Sequence, residues 1–378
     1  MCLSEGYMSS KNPVKCRKLT DLVSADALDL LAASGTRVVE KIGVEIVRGV
    51  VLDVLTGKNL RDSTEALTRK RIATLNLALL QMFLNGTSYN SNFGTELLDF
   101  ACKRLTETRI TKEERWLGQW VLGLTDKAFQ NVLRDERNAI IGYTNEYKKT
   151  CRRIVEDFEK THGQLAGTLA IQPDVKAEIN TLFMVYLLNA VGSETLTIRG
   201  SEKSAYGKLF EKLILGSLLS ILGFRLVDRN NLTELNKVFW LSEQGERRES
   251  DATLLYTPGK GVRFDIGFIG RGNPEISLDK VTRFEKEIEL ASTKWYLATI
   301  IIVDRIGKNS RIERLANKVG GAIVQMSMSY WPRQVAMELN KAVGYSHKML
   351  TVSDDEFENY VRREVQKVSI EQLIGVRK

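Results

Sequence analysis

Histidine is nearly absent. The 378 residues hold only His162 and His347, which argues against His-ligated zinc, HNH-type centres and most Ser-His-Asp hydrolases. Cysteine is also sparse. The four (Cys2, Cys16, Cys102 and Cys151) are scattered with no CxxC pair. That points away from a structural zinc site and towards a reduced, cytoplasmic protein. Proline is rare, with five in all; Pro13 and Pro173 alone interrupt the first half, which suits long helices. No apolar run approaches the roughly 18–20 residues that span a bilayer, so no membrane association is expected. The opening segment, MCLSEGYMSSKNPVKCRKL, has cations but no apolar stretch behind them, so a secretory signal is not expected. Chemistry in such a chain must run on carboxylates, lysine and a metal.

What is present is positive charge and helical pattern. The net charge of +8 favours a polyanionic partner. Apolar residues at three- and four-residue spacing predict helices near 22–34, 37–55, 64–85, 95–106, 112–132, 134–161 and 176–194. Arg69-Lys70-Arg71, and Lys148, Lys149, Arg152 and Arg153, give basic faces that are either solvated or turned to phosphates. A boundary is expected at 171–174, dividing a helical domain (1–172) from an α/β domain (173–378). From 202 the pattern mixes: a helix over 202–222, short strands near 224–228, 237–242, 249–256 and 262–269, and a helix over 277–292. Buried strands over 298–304 (ATIIIVD) and 321–327 follow, with a helix over 309–318 between them. The expected fold class is α/β, a mixed-sheet core behind a large N-terminal helical region.

Residues 247–287 are dense in acids: RRESDATLLYTPGKGVRFDIGFIGRGNPEISLDKVTRFEKE. Two strand-like runs flank Thr-Pro-Gly-Lys-Gly, and each carries one aspartate, Asp251 and Asp265. With Thr257–Gly261 as the loop, Tyr256 pairs with Val262 and Asp265 faces Thr253, a diagonal step from Asp251. Residues 251, 253 and 265 then share one face, while Phe264, Ile266 and Phe268 anchor the other. Converging carboxylates call for a cation, and a divalent metal is the simplest. The bland alternative for Asp265 is an ion pair with Arg263 or Arg271. Glycines 267, 270 and 272 match neither a P-loop nor a dinucleotide fingerprint, and read more simply as a bulge or strand exit.

This pattern resembles the PD-(D/E)xK nucleases, especially type II restriction endonucleases, over roughly 203–330. The string DIGFIGRGNPEISLDK is similar to the CfrBI/StyI-like enzymes among them. The resemblance implies a restriction-endonuclease-like core, magnesium-dependent hydrolysis of double-stranded DNA, and a homodimer with the helical region serving dimerisation or DNA clasping. Carried onto this chain, Glu211 is the helix glutamate. Ser250-Asp251 stands for Pro-Asp, and Asp265-Ile266-Gly267 for Asp-x-Lys. The chain departs from the pattern at Gly267, where the family lysine would stand; Lys280 is the expected substitute and Lys286 a weaker one. A second alignment makes Asp265 the first aspartate and Glu275-Ile276-Ser277 the second half, with Asp251 auxiliary. Expected metal ligands are Asp251, Asp265 and Glu275. Expected DNA contacts include Arg247, Arg248, Arg271, Arg305 and Arg311. Two alternatives stay open: a repair or mobile-element nuclease of the same fold, and a non-catalytic helical nucleic-acid-binding protein.

Overall fold

A computed structural model describes residues 18–32, 43–90, 92–134, 136–172, 175–228, 235–242, 250–268, 297–304 and 322–375. Contacts divide the chain into two compact units. One comprises Met1–Ala33 and Thr68–Ser201, the other Ser34–Leu67 and Glu202–Lys378. The division differs from a cut at 172/173, and it falls inside two continuous helices, Leu60–Tyr89 and Thr181–Ile221.

The first unit is helical, as expected, apart from one hairpin. Helix Phe93–Leu105 shows how the pattern works. Phe93, Leu97, Leu98, Ala101, Cys102 and Leu105 recur every three or four residues and are all buried. They join Leu79, Phe83, Leu117, Trp120, Ile140, Tyr186 and Ala190 in a single core. Glu114 and Glu194 are the acids buried in this unit among the described residues. Glu114 is 1% exposed, and its carboxylate accepts the backbone N–H groups of Leu19 (2.9 Å) and Thr20 (3.0 Å) and the Arg104 Nε (2.9 Å). Three donors offset its desolvation.

The expected helix over 176–194 begins late. Strands β1 (Ala166–Gln172) and β2 (Val175–Asn180) pair antiparallel from Ala166↔Asn180 to Gln172↔Val175. Val175, Ala177 and Ile179 alternate with Lys176, Glu178 and Asn180, a period of two that belongs to a strand. The expected boundary at 171–174 therefore lies at the tip of this hairpin. Helix Thr181–Ile221 follows, its start capped by Asn180 Oδ1 accepting the Phe183 N–H at 2.8 Å. It runs 41 residues without the expected break near 195–201. Gly192 and Gly200 each cost roughly 1 kcal/mol relative to alanine, but no proline stands there to stop the helix. Residues Thr181–Gly200 are long and apolar enough, by length and composition, to cross a membrane, which amends the sequence expectation. Half of that stretch is buried in the unit, where Phe183, Tyr186, Leu187, Ala190 and Ile198 belong to the core.

The second unit is built on a six-stranded mixed sheet ordered β3–β4–β5–β6–β7–β8. The strands are β3 (Arg225–Leu226), β4 (Val238–Leu241), β5 (Ala252–Thr257), β6 (Lys260–Gly267), β7 (Leu297–Val303) and β8 (Ala322–Gln325). β4, β5 and β6 pair antiparallel, while β3–β4, β6–β7 and β7–β8 are parallel. β7 is buried on both faces through Ile300, Ile301, Ile302 and Val303, as its unbroken apolar run requires. Helix Trp331–Val343 packs on β6, β7 and β8. Helix Val44–Leu55 joins this unit through Arg48, which is buried. Its Nη1 donates to the carbonyls of Val365 and Val368, each at 2.7 Å, at the C-terminal end of helix Asp354–Gln366. The guanidinium adds a donor to the Val365 carbonyl, which also accepts the Val368 N–H at 3.1 Å, and caps the carbonyl of Val368 just past the helix end. The expected helices over 277–292 and 309–318 lie outside the described residues.

Candidate active site

The site is organised by the β5–β6 hairpin. Its turn is tighter than the sequence suggested: Thr257 pairs with Lys260 around Pro258-Gly259. Proline at the first turn position and Gly259 at φ +80° at the second make a type II turn. Tyr256 is left over as a bulge between Leu255↔Gly261 and Thr257↔Lys260, and its ring packs edge-on against Tyr345. The register is consequently shifted by two residues from the expected one. Thr253 pairs with Arg263 and Ala252 with Phe264. Continuing one step sets Asp251 directly across from Asp265, closer than the diagonal first expected. A shift of two preserves the face, so the two carboxylates still share it.

The ladder ends at that step in a distinctive way. Asp251 Oδ2, rather than a backbone carbonyl, accepts the Ile266 N–H at 2.8 Å. The Asp251 carbonyl meanwhile accepts the Ser242 N–H at 3.1 Å, and the hydroxyls of Ser250 and Thr253 lie 3.1 Å apart. One carboxylate is thus pinned to the backbone beside the other. Asp265 is 5% exposed, on a strand whose opposite face buries Val262, Phe264 and Ile266 completely. Seven consecutive pairs join β6 to β7, including Asp265↔Ile301 and Gly267↔Val303. Asp265 therefore has little freedom to move.

The remaining expected residues divide. Arg263 shares the face of Asp265 and is half-buried. Glu211 is half-buried on helix Thr181–Ile221 between buried Phe210 and Leu213. Glu275, Lys280, Lys286, Arg247, Arg248, Arg271, Arg305 and Arg311 lie outside the described residues. Among the described residues no three His, Cys, Asp or Glu side chains gather as a metal cluster. The described donor set is two carboxylates, hard oxygen ligands of the kind that hold magnesium together with water and phosphate oxygens.

Two polar groups at the same end of the sheet were passed over. Gln325 on β8 pairs with Val303, which pairs with Gly267, so parallel register sets it on the face of Asp265. Asp304 directly follows β7, and its Oδ2 accepts the Asn59 Nδ2 at 2.9 Å. The signal for Asp304 was in the string ATIIIVD: a polar residue directly after an unbroken apolar run marks the exit of a buried strand. A separate cleft of about 470 Å³ lies along β3, lined by Ser220, Arg225, Leu226, Glu364, Lys367 and neighbouring residues. It contains neither aspartate.

Comparison with known proteins gives a consistent picture. Residues 44–311 match the CfrBI restriction endonuclease family. The type II restriction enzyme CfrBI of Citrobacter freundii is 35% identical over 357 residues, covering 92% of this chain and 96% of the relative. No solved structure matches.

Proposed function

This chain belongs to the CfrBI restriction endonuclease family and is a type II restriction endonuclease, and from that premise we propose that Asp251 and Asp265 are the centre of its active site. Such enzymes hydrolyse double-stranded DNA at specific sequences and generally use a divalent metal. The proposed metal is magnesium, held by Asp251, Asp265 and Glu275. The observation that carries the reading is the Asp251 carboxylate held on the Ile266 N–H, one strand across from the buried Asp265. A metal ligand held in this way gains preorganisation.

When bound, the metal supplies a more acidic water and neutralises charge on the scissile phosphate. The chain's own groups do the rest. Asp251 is fixed by a backbone donor and Asp265 by the packed face of β6, so neither carboxylate must be ordered during reaction. Lys280 takes the place of the family lysine absent at Gly267, orienting the attacking water and adding positive charge at the transition state. Glu211 contributes from its helix. Arg247, Arg248, Arg271, Arg305 and Arg311 contact the DNA. A two-fold homodimer places one such site on each strand of a palindrome. The cytoplasm is the proposed compartment.

Asp265→Ala tests the assignment. Plasmid cleavage in Mg²⁺ is expected to vanish while a DNA band shift in Ca²⁺ persists. Undiminished cleavage would remove Asp265 from the site. Discrete fragments from the unaltered enzyme are expected; a smear would instead favour a general nuclease of the same fold.

A further inference from the structure

We infer that Asn59 and Asp304 form a positioning pair that holds the end of the catalytic strands in register. The inference rests on the reading of Asp265 as a catalytic ligand.

Asp304 is the first residue past β7, and Val303 before it pairs with Gly267, two residues beyond Asp265. Whatever fixes the exit of β7 fixes the end of β6, because the two strands are bonded along their whole length. Three contacts among the described residues hold that exit. The Met326 N–H donates to the Val303 carbonyl at 2.8 Å, and the Ser327 N–H to the Asp304 carbonyl at 3.0 Å. The third hold is the side-chain bond from Asn59 Nδ2 to Asp304 Oδ2.

Asn59 is suited to the role because both ends of its amide are used. Its Oδ1 accepts the Arg61 N–H at 2.8 Å, and its backbone carbonyl accepts the Ser63 N–H at the start of helix Leu60–Tyr89. The loop before it is itself clamped. Gly57, at φ +92°, lies so close to the Ser329 backbone that a Cβ would sit 3.0 Å from it. Trp331 Nε1 donates to the Val54 carbonyl at 2.8 Å. Lys58 pairs with Asp53 at 2.7 Å. Asn59 is thus a rigid donor presented to an acid at the open end of the parallel strands.

The bond is exposed, so it adds little to global stability. Its effect is geometric. A misplacement of about 1 Å at a reacting centre can cost on the order of a hundredfold in rate.

The test uses an exchange. Asn59→Asp keeps the acceptor for the Arg61 N–H and a residue favoured at helix starts, but it sets carboxylate against carboxylate at Asp304. The expected result is a fall in kcat of about tenfold or more, with DNA affinity in Ca²⁺ and the thermal midpoint near wild type. Adding Asp304→Asn restores the bond with donor and acceptor exchanged, and kcat is expected to return to within about threefold of wild type. A wild-type kcat in N59D overturns the inference. So does failure of the double variant to recover, or a fall in kcat matched by a fall in thermal midpoint. Asp265→Ala in the same assay keeps the two readings apart: cleavage by that variant refutes the site itself, whatever N59D does.

Discussion

Replacing Asp251 in two ways separates its chemical role from its structural one. Asp251→Asn keeps an oxygen that can accept the Ile266 N–H, whereas Asp251→Ala removes that acceptor. An unsatisfied buried N–H costs about 1–3 kcal/mol. The bond is only partly buried, and water can meet the donor in part, so the lower end applies. The amide oxygen of asparagine is also a weaker acceptor than a carboxylate. The alanine variant is expected to be about 1 kcal/mol less stable than the asparagine variant at the hairpin end. At 1.4 kcal/mol per factor of ten, that is roughly a fivefold loss of protection for the Ile266 amide. Hydrogen exchange in EDTA reads this directly, without metal to complicate it. Cleavage in Mg²⁺ is expected to be lost in both variants, since neither carries the charge of the proposed ligand. Equal protection of Ile266 in the two variants would refute the structural role. Wild-type cleavage by the asparagine variant would refute the chemical one.

Two further outcomes follow from contacts outside the site. Arg48→Met retains apolar bulk but removes the guanidinium from both carbonyls, of which Val365 keeps the Val368 N–H; a loss of about 1–3 kcal/mol is expected in urea unfolding, and a neutral result would discount the cap. Burial, with a smaller push from Lys348 and opposed by Glu364, holds His347 below its ordinary value of 6.5, and its Nδ1 accepts the Met349 N–H at 3.2 Å, which requires that nitrogen unprotonated. The unfolded chain therefore binds the proton first. The stabilisation is complete above about pH 6.5 and falls as pH drops below it. His347→Asn should flatten that part of the curve in urea midpoints taken across about pH 5–7.5.

Much of the second unit was legible because its signals are local. ATIIIVD reads as a strand buried on both faces, and it is one. The shared face of Asp251 and Asp265 survived an error in register, since a slip of two residues conserves the side. The register itself was not legible. Whether Tyr256 pairs or bulges is decided by packing against Tyr345, far along the chain, and by the two-residue Pro-Gly turn. The β1–β2 hairpin was hidden for a different reason. Residues 176–194 hold enough apolar side chains to satisfy a helical period, and the two-residue alternation covers only the first five of them. The unbroken helix through Gly192 and Gly200 shows tertiary burial overriding weak propensity. Asn59 could not have been found from motif spacing, because its partner lies 245 residues away.

The grip of Arg48 on helix Asp354–Gln366 also sets a clock. Its carbonyl partners lie 317 and 320 residues downstream. At about 5–20 residues per second of synthesis, the guanidinium waits roughly 15–60 seconds for them. The hairpin bearing both aspartates leaves the ribosome about 100 residues before Val365. A nascent chain thus carries its acids well before it has the anchor that completes their unit, and the competent fold arrives only with the last helices.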